Sequence, residues 1–193
     1  MSRLISFLAV IGLALLSFAC ASRSEETAQQ PAPTANAGAV DSPLEPGQLD
    51  AEARPSIDAL IDDFIAAVGA KDMQTLTKLR VTESEYLDII VPGGIPVGDA
   101  PRGTTPKVKN VFWRLLNDKS HAYAELFLER YGGRTYTQPQ VTFTQPTRHY
   151  AWYDAYGKVR LQMTDEEGNI WKLDSGSIVD VGGRYKFVGY EYD

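Results

Sequence analysis

A change of hydrophobic period part-way along the chain limits the fold more than any other feature of the sequence. Up to Tyr131 apolar residues recur at helical spacing, and from Arg134 onward they alternate with polar ones. Ile57, Leu60, Ile61, Phe64, Ile65 and Val68 fall at spacings of three and one, which places them on one face of an α-helix. Ser56 stands before them as an N-cap, Asp58 suits the first turn, and Gly69 is placed to end the helix. Asp72 caps a shorter helix carrying Met73, Leu76 and Leu79. Thr82-Glu83-Ser84-Glu85 has the form of a capping box and opens a third segment, with Tyr86, Leu87, Ile89 and Ile90 before a stop at Pro92. After the Gly- and Pro-dense loop Val91–Gly98, a helix resumes at Thr105-Pro106 with Val108, Val111, Phe112, Leu115 and Leu116 on one face. Asn117-Asp118 is expected to break it, and a following helix from Ser120 stops at Gly132-Gly133.

Beyond that point the period is two. Val141-Thr-Phe143-Thr and Val159-Arg-Leu161-Gln-Met163 alternate as half-buried strands do. Asp165-Glu166-Glu167-Gly168-Asn169 and Val181-Gly182-Gly183-Arg184 look like hairpin turns, where Gly supplies positive φ. Strands are predicted near 135–144, 147–156, 158–164, 169–181 and 184–192. Helices first and strands after imply an α+β fold over 55–193, an antiparallel meander with one face covered by the helices.

The amino terminus reads as an address. Arg3 is followed by an unbroken apolar run from Leu4 to Leu16 and then Ser17-Phe18-Ala19-Cys20. A positive start, a short apolar stretch and small residues before a cut site make a secretory signal over residues 1–19. The run is shorter than the ~20 residues of a membrane-spanning helix, which argues against the alternative of an uncleaved anchor. Cys20 is the only cysteine, so no disulfide can form within the chain. Its setting resembles the lipobox of bacterial lipoproteins, in which the cysteine is acylated and becomes the first residue. Members of that class usually carry Leu three residues before the cysteine, where this chain has Ser17, with Leu16 one step earlier. A conventional cut near Ala19 or Ala21 is the alternative. The resemblance implies a membrane partner through the lipid and a place in the cell envelope, with Ala21-Ser22 similar to the outer-membrane default of Gram-negative lipoproteins. Residues 20–54 are rich in Ala, Ser, Thr, Gln, Glu and Pro, with no aromatic and no periodic apolar face, the composition of a disordered linker. The net charge of −6 and the lack of a basic stripe exclude a phosphate-backbone binder, so nucleic acid is not an expected partner.

The order of elements resembles the cystatin-like cone of nuclear transport factor 2-like proteins, which include SnoaL-like cyclases and ketosteroid isomerases. The similarity covers most of 55–193 and rests on element order and on the opening helix pattern; an extra helix before the meander departs from the simplest cone. Phe112-Trp113-Arg114-Leu115-Leu116 through Glu129-Arg130-Tyr131-Gly132-Gly133, and Gly176-Ser177-Ile178-Val179 with Gly183-Arg184-Tyr185-Lys186, look like stretches of uncharacterised envelope proteins. The resemblance implies a pocket at the open end between sheet and helices. In its relatives an Asp or His with Tyr donors does acid/base work there.

Few residues of this chain offer chemistry. The loop at 91–98 lacks the Gly-Lys-Ser/Thr of a phosphate-binding loop, and no Gly-x-Ser-x-Gly elbow occurs. His121 and Glu125, four apart, lack further ligands for a metal nearby and read as a solvated helical pair. Asp165, Glu167 and Asn169 lack the length and closing Glu of a calcium loop. No cofactor and no metal site is expected. The most unusual stretch is Arg148-His149-Tyr150-Ala151-Trp152-Tyr153-Asp154-Ala155-Tyr156. Read as a strand, it puts Arg148, Tyr150, Trp152, Asp154 and Tyr156 on one face and His149, Ala151, Tyr153 and Ala155 on the other. Arg148, Tyr150, Trp152 and Tyr153, with Trp113, are candidates for binding a small ligand; His149 and Asp154 are the first to test for proton transfer. The same aromatics also suit plain cross-strand packing. The leading expectation is a non-catalytic envelope lipoprotein that binds a small ligand or another envelope component. The alternatives are an isomerase- or cyclase-type enzyme and a structural assembly partner.

Overall fold

The computed structural model describes residues 47–94 and 106–191. The expected leader, Cys20, most of the expected linker and part of the Gly/Pro loop lie outside the described residues. The chain opens with α1 (Ile57–Ala70), α2 (Met73–Lys78) and α3 (Glu83–Glu85), which runs through a π-helical turn (Tyr86–Ile90) into α4 (Val91–Gly93). Then come α5 (Pro106–Tyr131) and strands β1 (Tyr136–Phe143), β2 (Arg148–His149), β3 (Asp154–Asp165), β4 (Ile170–Val181) and β5 (Arg184–Gly189). The fold class is α+β, with an open antiparallel sheet in the order β1-β3-β4-β5.

The predicted caps are in place. Ser56 Oγ accepts from the Ala59 N–H, and an Asp72 carboxylate oxygen accepts from the Thr75 N–H. Thr82 and Glu85 form the reciprocal box, with the Thr82 N–H donating 2.6 Å to Glu85 Oε2. Gly69 does something other than end the helix. Lys71 takes the left-handed C-cap conformation, while a Cβ on Gly69 would stand 2.4 Å from the Arg134 carbonyl. Gly69 is needed because another part of the backbone passes there, and its own carbonyl accepts from the Gly133 N–H. The π turn ends two residues before Pro92, which has no N–H to give and whose ring crowds the turn behind it.

Two expectations about continuity are corrected. Asn117-Asp118 does not break a helix; α5 is one helix of 26 residues. Asn and Asp cost only a few tenths of a kcal/mol each in a helix, and tertiary bonds hold this region. Asn117 Oδ1 accepts from Arg80, and Ser120 Oγ accepts from the Tyr190 N–H. The strand expected at 147–156 is instead a turn between two strands. Arg148 pairs with Ala155 and His149 with Asp154, so β2 folds back on β3 through residues 150–153, closed by the Tyr150 N–H donating to the Tyr153 carbonyl. β1 and β2 follow each other along the same edge of β3, interrupted near Pro146, which cannot donate to a ladder. Both predicted hairpin turns form, with φ +85° at Gly168, +61° at Gly182 and +79° at Gly183.

Helical and loop segments cover both faces of the sheet, not the single face expected. Ile178 and Val179 are adjacent in β4 and must point to opposite sides. Ile178 joins a core with Leu60, Phe64, Leu76, Phe127 and Phe187, whereas Val179 joins Leu49, Ala53, Val81, Ile89 and Ile90. In the first core the rings of Phe64, Phe127, Phe187 and Tyr190 pack in contact, with Phe64 and Phe187 centroids 5.1 Å apart. Packing begins ahead of Pro55. Leu49 and Ala53 are buried, and Arg54 bridges to Tyr185. Arg54 and Arg80 each bridge to β5 and cover its outer edge, while Pro139 and a bulge interrupt the β1 edge.

Candidate functional site

Small residues on one face of the sheet leave a hollow. Ala155 and Gly157 of β3 and Ser177 and Val179 of β4 form its floor; Leu116 and Lys119 of α5 and Ile90 of the π turn overhang it. Tyr150 and Tyr153, from the turn between β2 and β3, make one wall, and Arg148 and Gln145 stand beside them. The cavity measures about 280 Å³, just below the ~300–1,000 Å³ of drug-sized sites. The Tyr150 and Tyr153 rings lie 4.8 Å apart, and the Tyr153 hydroxyl donates to the Ile90 carbonyl at 3.2 Å. Burial first, then the neighbouring Tyr150 and Tyr86, push the Tyr153 hydroxyl far above its ordinary value, so it remains a donor.

Other hollows among the described residues are larger, two of them about twice the volume. One, about 550 Å³, is a groove between α1 and β1 lined by Ala66, Gly69 and Ala70, and its Arg134 lies 4.4 Å from the Trp171 ring. The other, about 600 Å³, lies between residues 47–51 and the Val181–Arg184 turn. Both also combine charged and aromatic residues, Asp62, Arg134 and Tyr136 in the first and Asp50, Trp152 and Arg184 in the second, but neither holds the Arg148, Tyr150 and Tyr153 group that meets at the smaller cavity.

The residues singled out from the sequence divide among several places. Arg148, Tyr150 and Tyr153 meet at the cavity. Trp152 does not join them; its Cβ lies where a side chain on Gly93 would go, and its ring borders the hollow at 47–51. Trp113 packs against Tyr86 with centroids 5.5 Å apart, as part of the second core. His149 and Asp154 meet each other, with His149 Nδ1 2.7 Å from Asp154 Oδ1. They do so on the opposite face from Arg148 and Ala155 and in the open, the imidazole being 68% exposed. The alternation expected across 148–156 fails because the turn at 150–153 resets the phase. Tyr150 and Tyr153 therefore share a side that strict alternation would have denied them.

Around the His149–Asp154 pair, Asp154 stands in register with Asp180, and Asp180 with Tyr185. Burial raises the Tyr185 hydroxyl, and the Asp180 carboxylate that accepts from it adds to the effect. His121 Nε2 and Glu125 Oε1 are 3.5 Å apart on the surface of α5. Among the described residues no three His, Cys, Asp or Glu side chains gather as metal ligands would.

Two charged groups escaped the sequence reading. Lys186 is fully buried, its Nζ 3.0 Å from both Glu85 carboxylate oxygens and 2.7 Å from Asp50 Oδ1. It pairs in register with Val179 of the cavity floor. Arg80 is only 6% exposed; its Nη2 donates 2.8 Å to Asn117 Oδ1 and its guanidinium sits 5.7 Å from the Tyr190 ring. Desolvation lowers the Arg80 pKa. Glu85 was visible as a capping residue, but nothing in the local sequence signals its buried cation 101 residues away.

The chain matches no protein-family model, no curated protein and no solved structure. No helix among the described residues is long and apolar enough to cross a membrane.

Proposed function

We propose that this protein is an envelope-anchored lipoprotein, acylated at Cys20, whose α+β domain binds a small ligand in the cavity beside Tyr150 and Tyr153 without transforming it. The observation that carries the reading is the convergence of Arg148, Tyr150 and Tyr153 on one hollow, while His149 and Asp154 face the other side of the sheet. Binding is favoured over turnover because the pair best suited to acid/base work, His149 and Asp154, lies across the sheet from the cavity, whose lining combines Tyr150 and Tyr153 with the charged Lys119, Arg148 and Glu191. The helices-then-meander order supports a cone of the nuclear transport factor 2 type, with this cavity in the role of its pocket.

Native mass spectrometry of the protein released gently from the envelope tests this. A retained small molecule, still present in His149→Ala and Asp154→Ala but lost in Ser177→Trp, is the expected result. Retention that depends on His149 or Asp154 would overturn the assignment to this cavity. Incorporation of labelled palmitate that survives Cys20→Ser would overturn the anchor.

A second reading rests on the His149–Asp154 contact and its row of Asp180, Tyr185 and Tyr156, which has the residue types of an isomerase or cyclase. Turnover of an enolisable ketone, abolished by His149→Ala, would favour it. The exposed Val111, Phe112 and Leu115 on α5 favour the third reading, a protein partner. Cross-links from this helix to another envelope protein would support it.

A further inference from the structure

The charges around the cavity are out of keeping with the chain that holds them. The chain carries 25 acidic and 19 basic side chains, so carboxylates are available in excess to neutralise its cations. At the cavity they do not. Arg148 reaches it from β2 and Lys119 from α5, and neither forms an ion pair with a carboxylate among the described residues. The Lys119 ammonium lies over the Tyr123 ring, 5.4 Å from its centroid. The carboxylate at the cavity, Glu191, has Lys158 Nζ 3.8 Å from it. Exposed cations gathered beside a low-dielectric hollow attract an anion.

We propose, resting on the binding reading above, that the cavity is selective for a small organic anion: a carboxylate carried on a flat apolar body. The body lies against Tyr150, whose neighbour Tyr153 is fixed by its bond to Ile90. The carboxylate is drawn to Arg148, whose planar fork suits two-point recognition, with Lys119 adding charge. The modest volume, about 280 Å³, restricts the body to roughly one ring.

Benzoate and benzamide test the proposal, since they share a ring and a shape and differ in charge. The protein from Ala21 onward keeps every described residue and omits Cys20. Backbone amide shifts of Ser177, Val179 and Tyr153 in that protein would report binding. Benzoate is expected to bind at least tenfold more tightly than benzamide, with an affinity that falls as salt rises. Arg148→Gln should weaken benzoate far more than benzamide and so remove most of that preference, Lys119→Gln should narrow it, and neither should alter the melting temperature. Ser177→Trp, which fills the floor, should abolish both. Equal binding of the two probes would overturn the anion selectivity and leave the cavity as a binding site. Failure of both probes to shift these amides would overturn the cavity reading together with this one.

Discussion

Glu85 is where a local rule and a long-range one meet. As the third residue of its helix it accepts from the Thr82 N–H, and its other oxygen takes the Asp50 N–H at 2.8 Å. Both oxygens also hold Lys186, so one carboxylate ties α3, the 47–54 segment and β5 together. Removing one partner of such a pair strands the other charge in the interior, at a cost of about 3–5 kcal/mol. Lys186→Met should therefore lower the urea midpoint sharply, and adding Glu85→Gln should recover part of the loss. If the double variant were less stable than Lys186→Met by the full cost of a second independent change, the two would not be coupled. Asp165 makes a prediction about pH. Burial by itself would raise its carboxyl, but hydrogen bonds from the Trp171 indole, the Asn169 side chain and the backbone of Asn169 and Glu167 outweigh it and hold the carboxyl at about 2. An unfolded Asp titrates near ~3.9. Because the folded value is the lower, the stability that Asp165 contributes is complete above about pH 4 and is lost as pH falls through 2. Asp165→Asn points an amide at donors already in place. Urea unfolding followed from pH 7 to 2 should show a less stable variant at neutrality and a smaller drop on acidification. An unchanged drop would mean another carboxylate is responsible.

Among the elements, α1 and α5 teach opposite lessons. The α1 periodicity is legible because its face is buried against one continuous core, from Leu60 through Val68. Its ending is not legible, because the reason for Gly69 lies at Arg134. Gly→Ala in an exposed helix should gain about 1 kcal/mol. Here the added methyl would collide with the Arg134 carbonyl, and Gly69→Ala is expected to lose about 1–3 kcal/mol by denaturant unfolding. A stabilised variant would show that the close approach is not maintained in solution. In α5, Asn117 and Asp118 look like a break only while the helix is considered alone. Arg80 and Tyr190 supply bonds to this region from far along the chain. The turn at residues 150–153 is a similar case. Nothing among Tyr150-Ala151-Trp152-Tyr153 is Gly, Pro, Asn or Asp, the usual signals of reversal, and the run of β-formers there reads as strand. The chain reverses because Pro146 interrupts the edge and β3 offers a partner only for Arg148 and His149.

At the scale of the molecule, the body reaches back beyond the boundary that composition suggests. Leu49 and Ala53 are buried, Asp50 meets Lys186, and the Ala53 carbonyl accepts from Arg184. A version starting at Pro55 should be about 2–4 kcal/mol less stable than one starting at Pro43, from the lost apolar burial and the exposed ion pair. Equal midpoints in urea would show that this segment adds nothing. A polar, Pro-containing stretch reads as linker because its few apolar residues have no periodicity, and only the surface they meet gives them a place. The same division runs through the cavity. Arg148, Tyr150 and Tyr153 stood out as an aromatic and charged run, but the alternation that grouped Tyr150 with Trp152 and Asp154 was wrong. The α+β class, the helix caps and the two glycine hairpins followed from the sequence by itself, because each depends on contacts within a few residues or on a period repeated along one element. The turn inside the strand expected at 147–156, the continuity of α5, the buried Lys186–Glu85–Asp50 group and the choice of side chains that meet at the cavity were decided by tertiary structure. Each rests on a bond or a packing contact between residues far apart in the chain, and such energies leave no mark on the local pattern of either partner.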